Sequence, residues 1–468
     1  MQIPIVGQSY ALTDLSYDAQ RCVNLFAELS ESGSSKTPAR LVGTPGLEPY
    51  TVAGGGPHRG CLTTEGGRCF FVSGNKLYEI SALGVATERG TLNSAITRVS
   101  LAANGTQVMM VDGVNGYILT LATNAFVQIS DNDFPNGATV CDFQDTYFIV
   151  NDPSTGDFMI SANGDGFTWA ALDRIAVESA PDSLVSLLSD HGELFLFGSS
   201  TVEVYYNTGS TPVFTRISQA VMQVGIAAPH ARCSFDNNVV WLGEDKEGGR
   251  YVYQVSEGYR PVRISNAAVE EALASVVDIS RAYIWTYKTV GHEFLMLQVV
   301  GLNSTWVFDA STKIWHERTY FNDVTNSEEL HLGSCHTFFN GSHLVGDREN
   351  GNIYKMKLNY YKDGTKKIHR TRICPVLSQE MDRTEINELV LSMKTGVGNA
   401  ECEDPQIVLQ VSKDLGNTYG AERWKSIGKQ GEFRKRVKWD RLGSPRGFVL
   451  KFAISEPVEV SIHGLYGT

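Results

Sequence analysis

Short apolar or alternating runs, each ended by Gly, Asn, Asp or Ser, dominate this chain, and helical periodicity is nearly absent. Cys69–Ser73, Gln107–Val111, Tyr147–Val150, Glu193–Phe197 and Val239–Leu242 are such runs. Each is followed by a turn and a second run, at Lys76–Ile80, Tyr117–Leu121, Phe158–Ser161, Val202–Tyr206 and Tyr251–Val255. Strand, tight turn, strand is the pattern of a β-hairpin. The one helix the periodicity predicts covers Asn266–Asp278. Val269, Leu273, Val276 and Val277 share its face, and Ser265 or Asn266 supplies the N-cap.

The hairpins recur. The middle strands of successive units begin near residues 69, 107, 147, 193, 239, 293 and 343, a period of 38 to 54 residues. A 40–50-residue unit of about four short strands is the signature of a β-propeller, whose blades bury their faces only against neighbours. A large sandwich explains the even spacing less well. Six or seven units fit between residues 57 and 360, and the number of blades stays open. From Tyr361 the texture changes: Lys362, Lys366, Lys367, Arg370 and Arg372 crowd an expected exposed linker. Longer alternating strands follow at Glu388–Lys394, Gln406–Val411, Arg434–Trp439, Phe448–Ser455 and Val458–His463. Residues 361–468 therefore read as a C-terminal antiparallel β-sandwich platform domain. Residues 1–56 hold no repeat unit and read as an arm packing on the platform or the propeller.

Composition adds boundaries. The 468 residues are 42% hydrophobic, too apolar for a disordered chain. No run of about 18 apolar residues suggests a membrane span, and the N-terminus has no signal-peptide pattern. The net charge of −12 is uneven: the chain from Lys355 onward carries about +6 and the preceding part about −18. An acidic body argues against a general nucleic-acid binder, which must neutralise phosphates. A basic end allows a docking surface. The eight scattered cysteines form no Cys-x-x-Cys pair. Cys61 and Cys69 could meet across a hairpin, but free thiols are the expectation.

Candidate chemistry is sparse. Ser412–Tyr419 and Ser161–Trp169 resemble the Asp-box turn of sialidase-type propellers, where Asp or Asn bonds its own backbone and Gly supplies positive φ. Both are expected to be hairpin tips. Glycoside hydrolysis needs two carboxylates about 5–10 Å apart, and none of the 52 acidic residues is singled out. Gly198-Ser199-Ser200-Thr201 lacks the closing Gly of a nucleophile elbow and reads as a turn. His331 and His336 flank Cys335, but odd spacing on a strand would send the two rings to opposite faces. No catalytic, cofactor or metal residues are assigned.

The basic stretch Arg434–Arg441 stands out. On a strand Arg434, Arg436 and Lys438 share one face, and Lys435, Val437 and Trp439 the other. Three readings are open: a solvated face over a core Trp439, an acidic protein partner, or nucleic acid bound by cations and an aromatic. Arg441 and Arg446 extend the candidate surface.

At these residues the chain resembles the tail nozzle, or packaged-DNA stabilisation, proteins of short-tailed bacteriophages. The similarity runs in order through Asp18–Phe26, Thr44–Leu47, Leu196–Gly209, Gly225–Ala227, Val307–Ser311, Gly431–Arg434 and Val437–Gly443. The resemblance implies a non-enzymatic virion protein without cofactors, made in the bacterial host cytoplasm and placed in the tail. It implies a sixfold homo-oligomeric ring below the portal and its adaptor, extending the channel through which DNA leaves. Such a ring helps retain packaged DNA, serves its ejection, and carries needle, spike or fibre proteins. An acidic duct would let double-stranded DNA pass without specific binding. The basic residues Arg434, Arg436, Lys438, Arg441 and Arg446 would dock on the portal or adaptor. Two rivals remain: a propeller glycoside hydrolase acting on surface polysaccharide, and a monomeric protein-binding propeller adaptor.

Overall fold

The computed structural model describes residues 2–468 apart from 33, 36, 178–181 and 379–381. It is an all-β protein, a β-propeller joined to a β-sandwich. Among the described residues the hairpins assemble into seven blades, with second strands starting at residues 69, 107, 147, 193, 238, 292 and 342. The innermost strands, His58–Thr63, Ser100–Ala103, Cys141–Gln144, Leu184–Asp190, Arg232–Phe235, Tyr283–Thr289 and Gly333–Phe339, each lie beside the next. The last returns to the first and closes a ring. Apolar residues fill the spaces between sheets. Phe70, Val72, Val108 and Met110 pack between the first and second blades, and Phe197, Val204, Val239 and Trp241 between the fourth and fifth.

The seventh blade corrects the reading of the first 56 residues. Its fourth strand is Gly46–Val52, which pairs antiparallel with Asn352–Lys357. This repeat unit is split across the chain, so no local hairpin announces it. Pro49 cannot donate to a ladder. The register steps from Ile353↔Thr51 to Tyr354↔Pro49, leaving Tyr50 as the extra residue. The Tyr50 hydroxyl reaches the carbonyls of Ser81 and Ala82 at the rim of the first blade.

The helix is shorter than its periodicity suggests, Ala267–Ala274. The Asn266 side chain accepts from the Val269 N–H, satisfying a donor that the first turn leaves free. Val269 and Leu273 are buried, whereas Val277, beyond the end, is 98% exposed.

The arm belongs to both bodies. Leu25–Leu29 and Ala39–Gly43 extend one sandwich sheet alongside Ser461–Gly467, Ile386–Met393 and Val437–Gly443. Arg21–Val23 pairs with Arg370–Ile373 in the opposing sheet, which continues through Val449–Ile454 and Gln406–Ser412 to Arg423–Ser426. On its other side Val23 pairs parallel with Glu317 of the sixth blade, so one continuous sheet crosses from propeller to sandwich. An ion pair of 2.5 Å between Arg21 and Glu317 reinforces the crossing. Burial opposes the Glu317 charge most strongly, but Arg21 together with hydrogen bonds from Ser9 and Ser304 holds the carboxyl below its usual range.

The basic segment read as an exposed linker is in part internal, its three lysines staying at or near the surface. Lys362–Asp363 and Lys366–Lys367 form a small hairpin on Gly46–Val52, while Arg370 and Arg372 are buried at 2% and 0% exposure. Buried charge is tolerated where it is fully hydrogen-bonded. Arg372 meets that condition by donating to the carbonyls of Ile5, Gln8 and Arg21 and to the Gln20 side chain. All four acceptors lie in the arm. Arg372→Ala would remove these charge-assisted bonds. A loss of at least about 3 kcal/mol of stability is expected, measured by chemical denaturation.

Histidines in the interior, among them the buried His58 and His316 and the half-buried His336, make stability acid-sensitive. Burial lowers His58 to about 4 and His316 to about 3, and burial with the nearby His343 lowers His336 to about 3. Their folded values lie below the unfolded value of about 6.5. The unfolded chain therefore takes up more protons as pH falls below that value. Their contribution is complete above about pH 6.5 and declines from there towards pH 3–4. Replacing His336 with Gln should flatten the urea midpoint across this window while leaving it little changed at pH 8.

Candidate functional site

The basic stretch begins in a turn. The strand is Val437–Gly443, so Arg434, Lys435 and Arg436 precede it and are exposed, and only Lys438 of the predicted face lies on it. Val437 and Trp439 point into the sandwich core, where Trp439 is 1% exposed and its indole N–H donates to the Arg423 carbonyl. After Trp439 the alternation breaks: Asp440 and Arg441 both face out before Leu442 turns in. Arg441 has φ +60° and the pairing steps from Glu388↔Asp440 to Ile386↔Gly443, a β-bulge on this strand. A bulged arginine in the left-handed region costs backbone energy that glycine would not.

Val437–Gly443 is the outer strand of one sandwich sheet and Arg423–Ser426 the outer strand of the other. The two edges meet through the Trp439–Arg423 bond. Exposed Trp424, Lys425 and Phe433 lie on the segments flanking it. Arg434 lies before the strand, Arg441 within it, and Arg446 in the turn beyond it, where its carbonyl accepts from Ser378. Neighbouring carboxylates quench part of the charge. Glu388 pairs with Arg436 at 2.6 Å and Lys438 at 3.0 Å, and Asp440 lies 3.4 Å from Lys438. Hydrogen bonding to Glu388 raises the Lys438 ammonium above its usual value. Among the described residues, Arg434, Arg441 and Arg446 make no ion pair and supply the open positive charge. Sequence spacing alone could not show Glu388 here, since it arrives from the neighbouring strand.

One arginine side chain spans the ring of inner strands. Arg98, just ahead of the second blade's inner strand, donates to the Ser334 carbonyl of the seventh blade at 2.8 Å. Its guanidinium also stacks on Tyr283 of the sixth blade, 3.8 Å from the ring centroid. Blades two and six lie on opposite sides of the ring, so this one side chain crosses it. Arg232 of the fifth blade donates to the Leu187 carbonyl of the fourth.

The features read as structural turns behave as such. Asp414 accepts from the Thr418 hydroxyl and N–H and from the Ser412 hydroxyl, which holds its carboxyl down at about 2. In the other turn Asp165 binds Phe167 N–H and Thr168, and the Trp169 indole caps the Gly166 carbonyl. The Gly198–Thr201 turn is held by Asp182, which accepts from the N–H groups of Ser200 and Thr201. His331 precedes the strand Gly333–Phe339 instead of lying on it, so alternation does not separate the two histidines. Both rings lie against Trp285, and His336 bonds His343. Among the described residues no group of three or more His, Cys, Asp or Glu side chains is placed to hold a metal ion.

Two other features bear on a hydrolase reading. Asp142 and Asp190 lie on the inner strands of neighbouring blades, and their carboxylates serve structural donors. Asp142 accepts from the N–H groups of Phe143 and Ser189, and Asp190 bonds Ser234 and His191. A cleft of about 710 Å³ lies not on the axis but between the arm hairpin and the sixth blade, lined by Glu28, Arg40, His292 and His463. Among the described residues no helix is long and apolar enough to cross a membrane.

Exposed cations at an edge contribute little to folding. Arg434→Ala and Arg446→Ala should each change unfolding free energy by less than about 0.5 kcal/mol. Arg441→Gly should stabilise by up to about 1 kcal/mol through relief at the bulge, read in the same denaturation assay.

Comparison with known proteins covers both bodies. The propeller family described as Bacteriophage P22 Gp10, beta-propeller, matches residues 1–361, and the beta-sandwich family of the same protein matches residues 369–466. The tail hub protein gp10 of Salmonella phage P22 is 22% identical over 410 residues, covering 83% of each chain. Among solved structures, the N-terminal domain of Nup159 aligns with TM-score 0.44 at 10% identity over 72% of this chain and 98% of its own. The extracellular domain of BT4673 from B. thetaiotaomicron aligns with TM-score 0.46 at 10% identity over 81% of this chain and 47% of its own. Propeller and sandwich alike place the chain in the bacteriophage P22 Gp10 family, a family of short-tailed phage tail proteins.

Proposed function

We propose that this chain is the nozzle of a short phage tail, a ring of copies below the portal and adaptor that extends the DNA channel. In that position it helps retain the packaged genome and serves its ejection into the host. The observation that carries this reading is the match of both domains, in order, to the P22 Gp10 families. The Arg98 side chain spanning the ring is consistent with it, because it favours DNA passing between copies over passage through one. A closed ring built from one kind of chain needs two different complementary surfaces on each copy. An acidic propeller facing the duct would repel phosphates and let DNA slide.

The sandwich edge is the docking surface in this proposal. Arg434, Arg441 and Arg446 present the open charge, with Arg436 and Lys438 held ready by Glu388, towards an acidic face of the adaptor or portal. Needle, spike or fibre proteins would attach elsewhere on the ring, and six copies is the number that the phage-tail resemblance implies. Electrostatic docking of this kind weakens with salt.

Particles assembled without this chain, scored for retained genome and then for rescue by purified protein, test the role. Heads that fill, leak and are rescued are the expected result; heads that keep their DNA unaided would remove the sealing role. The docking edge is tested by Arg434→Glu with Arg441→Glu in the purified chain. The pair should abolish attachment to filled heads while leaving the denaturation midpoint nearly unchanged. Normal attachment would overturn the assignment of this edge.

A further inference from the structure

The ring closes where the seventh blade meets the first, and two thiols lie at that seam. Cys335 is on the inner strand Gly333–Phe339 and Cys61 on the inner strand His58–Thr63. Both lie in one apolar cluster, and Cys335 stands against Cys61 at the same register that sets Thr337 against Thr63 two residues further on. Two side-chain bonds bracket the pair and fix the strands' alignment. Ser334 donates to the His58 carbonyl at 2.8 Å, and Thr337 bonds Thr63 at 2.7 Å. Cys335 is buried, with Gly346 packed tightly beside its sulfur, whereas Cys61 is partly exposed. Cys69 belongs to the same apolar cluster but lies opposite Thr63 in its own hairpin, not opposite Cys61. All eight cysteines are free.

We propose that Cys61 and Cys335 are a cross-linking site, a thiol pair that peroxide oxidises to a disulfide sealing the propeller ring. The partly exposed Cys61 sulfur attacks one peroxide oxygen. The O–O bond breaks, and the departing hydroxide takes the thiol proton and leaves as water. The Cys335 sulfur then attacks the sulfenic sulfur. The S–S bond forms, the S–O bond breaks, and the oxygen leaves with the Cys335 proton as a second water. Two thiols are oxidised and one peroxide is reduced. A bond between the first and last blades closes a loop that includes nearly the whole propeller, so it opposes opening at the seam. If the chain is a tail protein, assembly in a reducing cytoplasm proceeds with free thiols, and the seal forms after release into an oxidising medium.

The test uses the full folded chain treated with hydrogen peroxide, followed by peptide mapping without reductant and by urea unfolding before and after dithiothreitol. The expected result is a disulfide joining the Cys61 and Cys335 peptides and a higher urea midpoint that dithiothreitol reverses. Cys69→Ala should keep both effects, while Cys61→Ser and Cys335→Ser should each lose both. The wild-type map decides even where a variant folds poorly. Thiols that stay unlinked, a link to Cys69, or a link that forms only in denaturant would each overturn the proposal. So would an unchanged midpoint in linked protein. Loss of tail function with the link intact would instead bear on the nozzle reading alone.

Discussion

The two halves of this protein hold together because one buried guanidinium satisfies the backbone of the arm. Arg372 takes the carbonyls of Ile5, Gln8 and Arg21 as partners. With the arm held there, Arg21–Val23 can pair with both the sandwich and the sixth blade, and Gly46–Val52 can reach the seventh. Arg21–Glu317 and Asn24–Thr319 hold the same arm to the sixth blade. A charge without a carboxylate partner is held in the interior by dipoles alone, which works only when each donor is aimed at an acceptor.

Ring closure carries its own consequence for function. In a propeller each blade has a partner on both sides, so the last must be joined to the first. Here that joint combines a strand from the arm, the Ser334–His58 and Thr337–Thr63 bonds, and the Cys61–Cys335 contact. Arg98 adds a tie across the axis. The propeller is thus closed around its rim and tied across its ring. Its charge is consistent with a body that avoids DNA, and the sandwich with one that seeks an acidic neighbour.

Electrostatics at the sandwich edge depend on which charges meet. A run of cations separated by single residues reads as one positive face, but Glu388 and Asp440 neutralise its centre. The open charge moves to the ends, at Arg434 and Arg446, and to the bulge at Arg441. That bulge exists because the strand turns Asp440 and Arg441 out together before returning Leu442 to the core.

Local pattern was enough for much of this molecule. Hairpin spacing located the second strand of every blade to within a residue, because each hairpin pairs neighbours in sequence and its apolar run and turn residues are contiguous. The Asp-type turns and the burial of Trp439 were legible for the same reason. What pairing at a distance decides was not. The seventh blade's last strand lies far from its partners, Arg370 and Arg372 look solvated until the arm covers them, and Glu388 reaches the basic edge from another strand. Sequence by itself determined the all-β class, the repeating unit and an acidic body with a basic end, since these rest on composition and neighbouring residues. Tertiary structure alone decided the number of blades, the tie across the ring and which cations stay open, since each depends on contacts between segments that only the fold brings together.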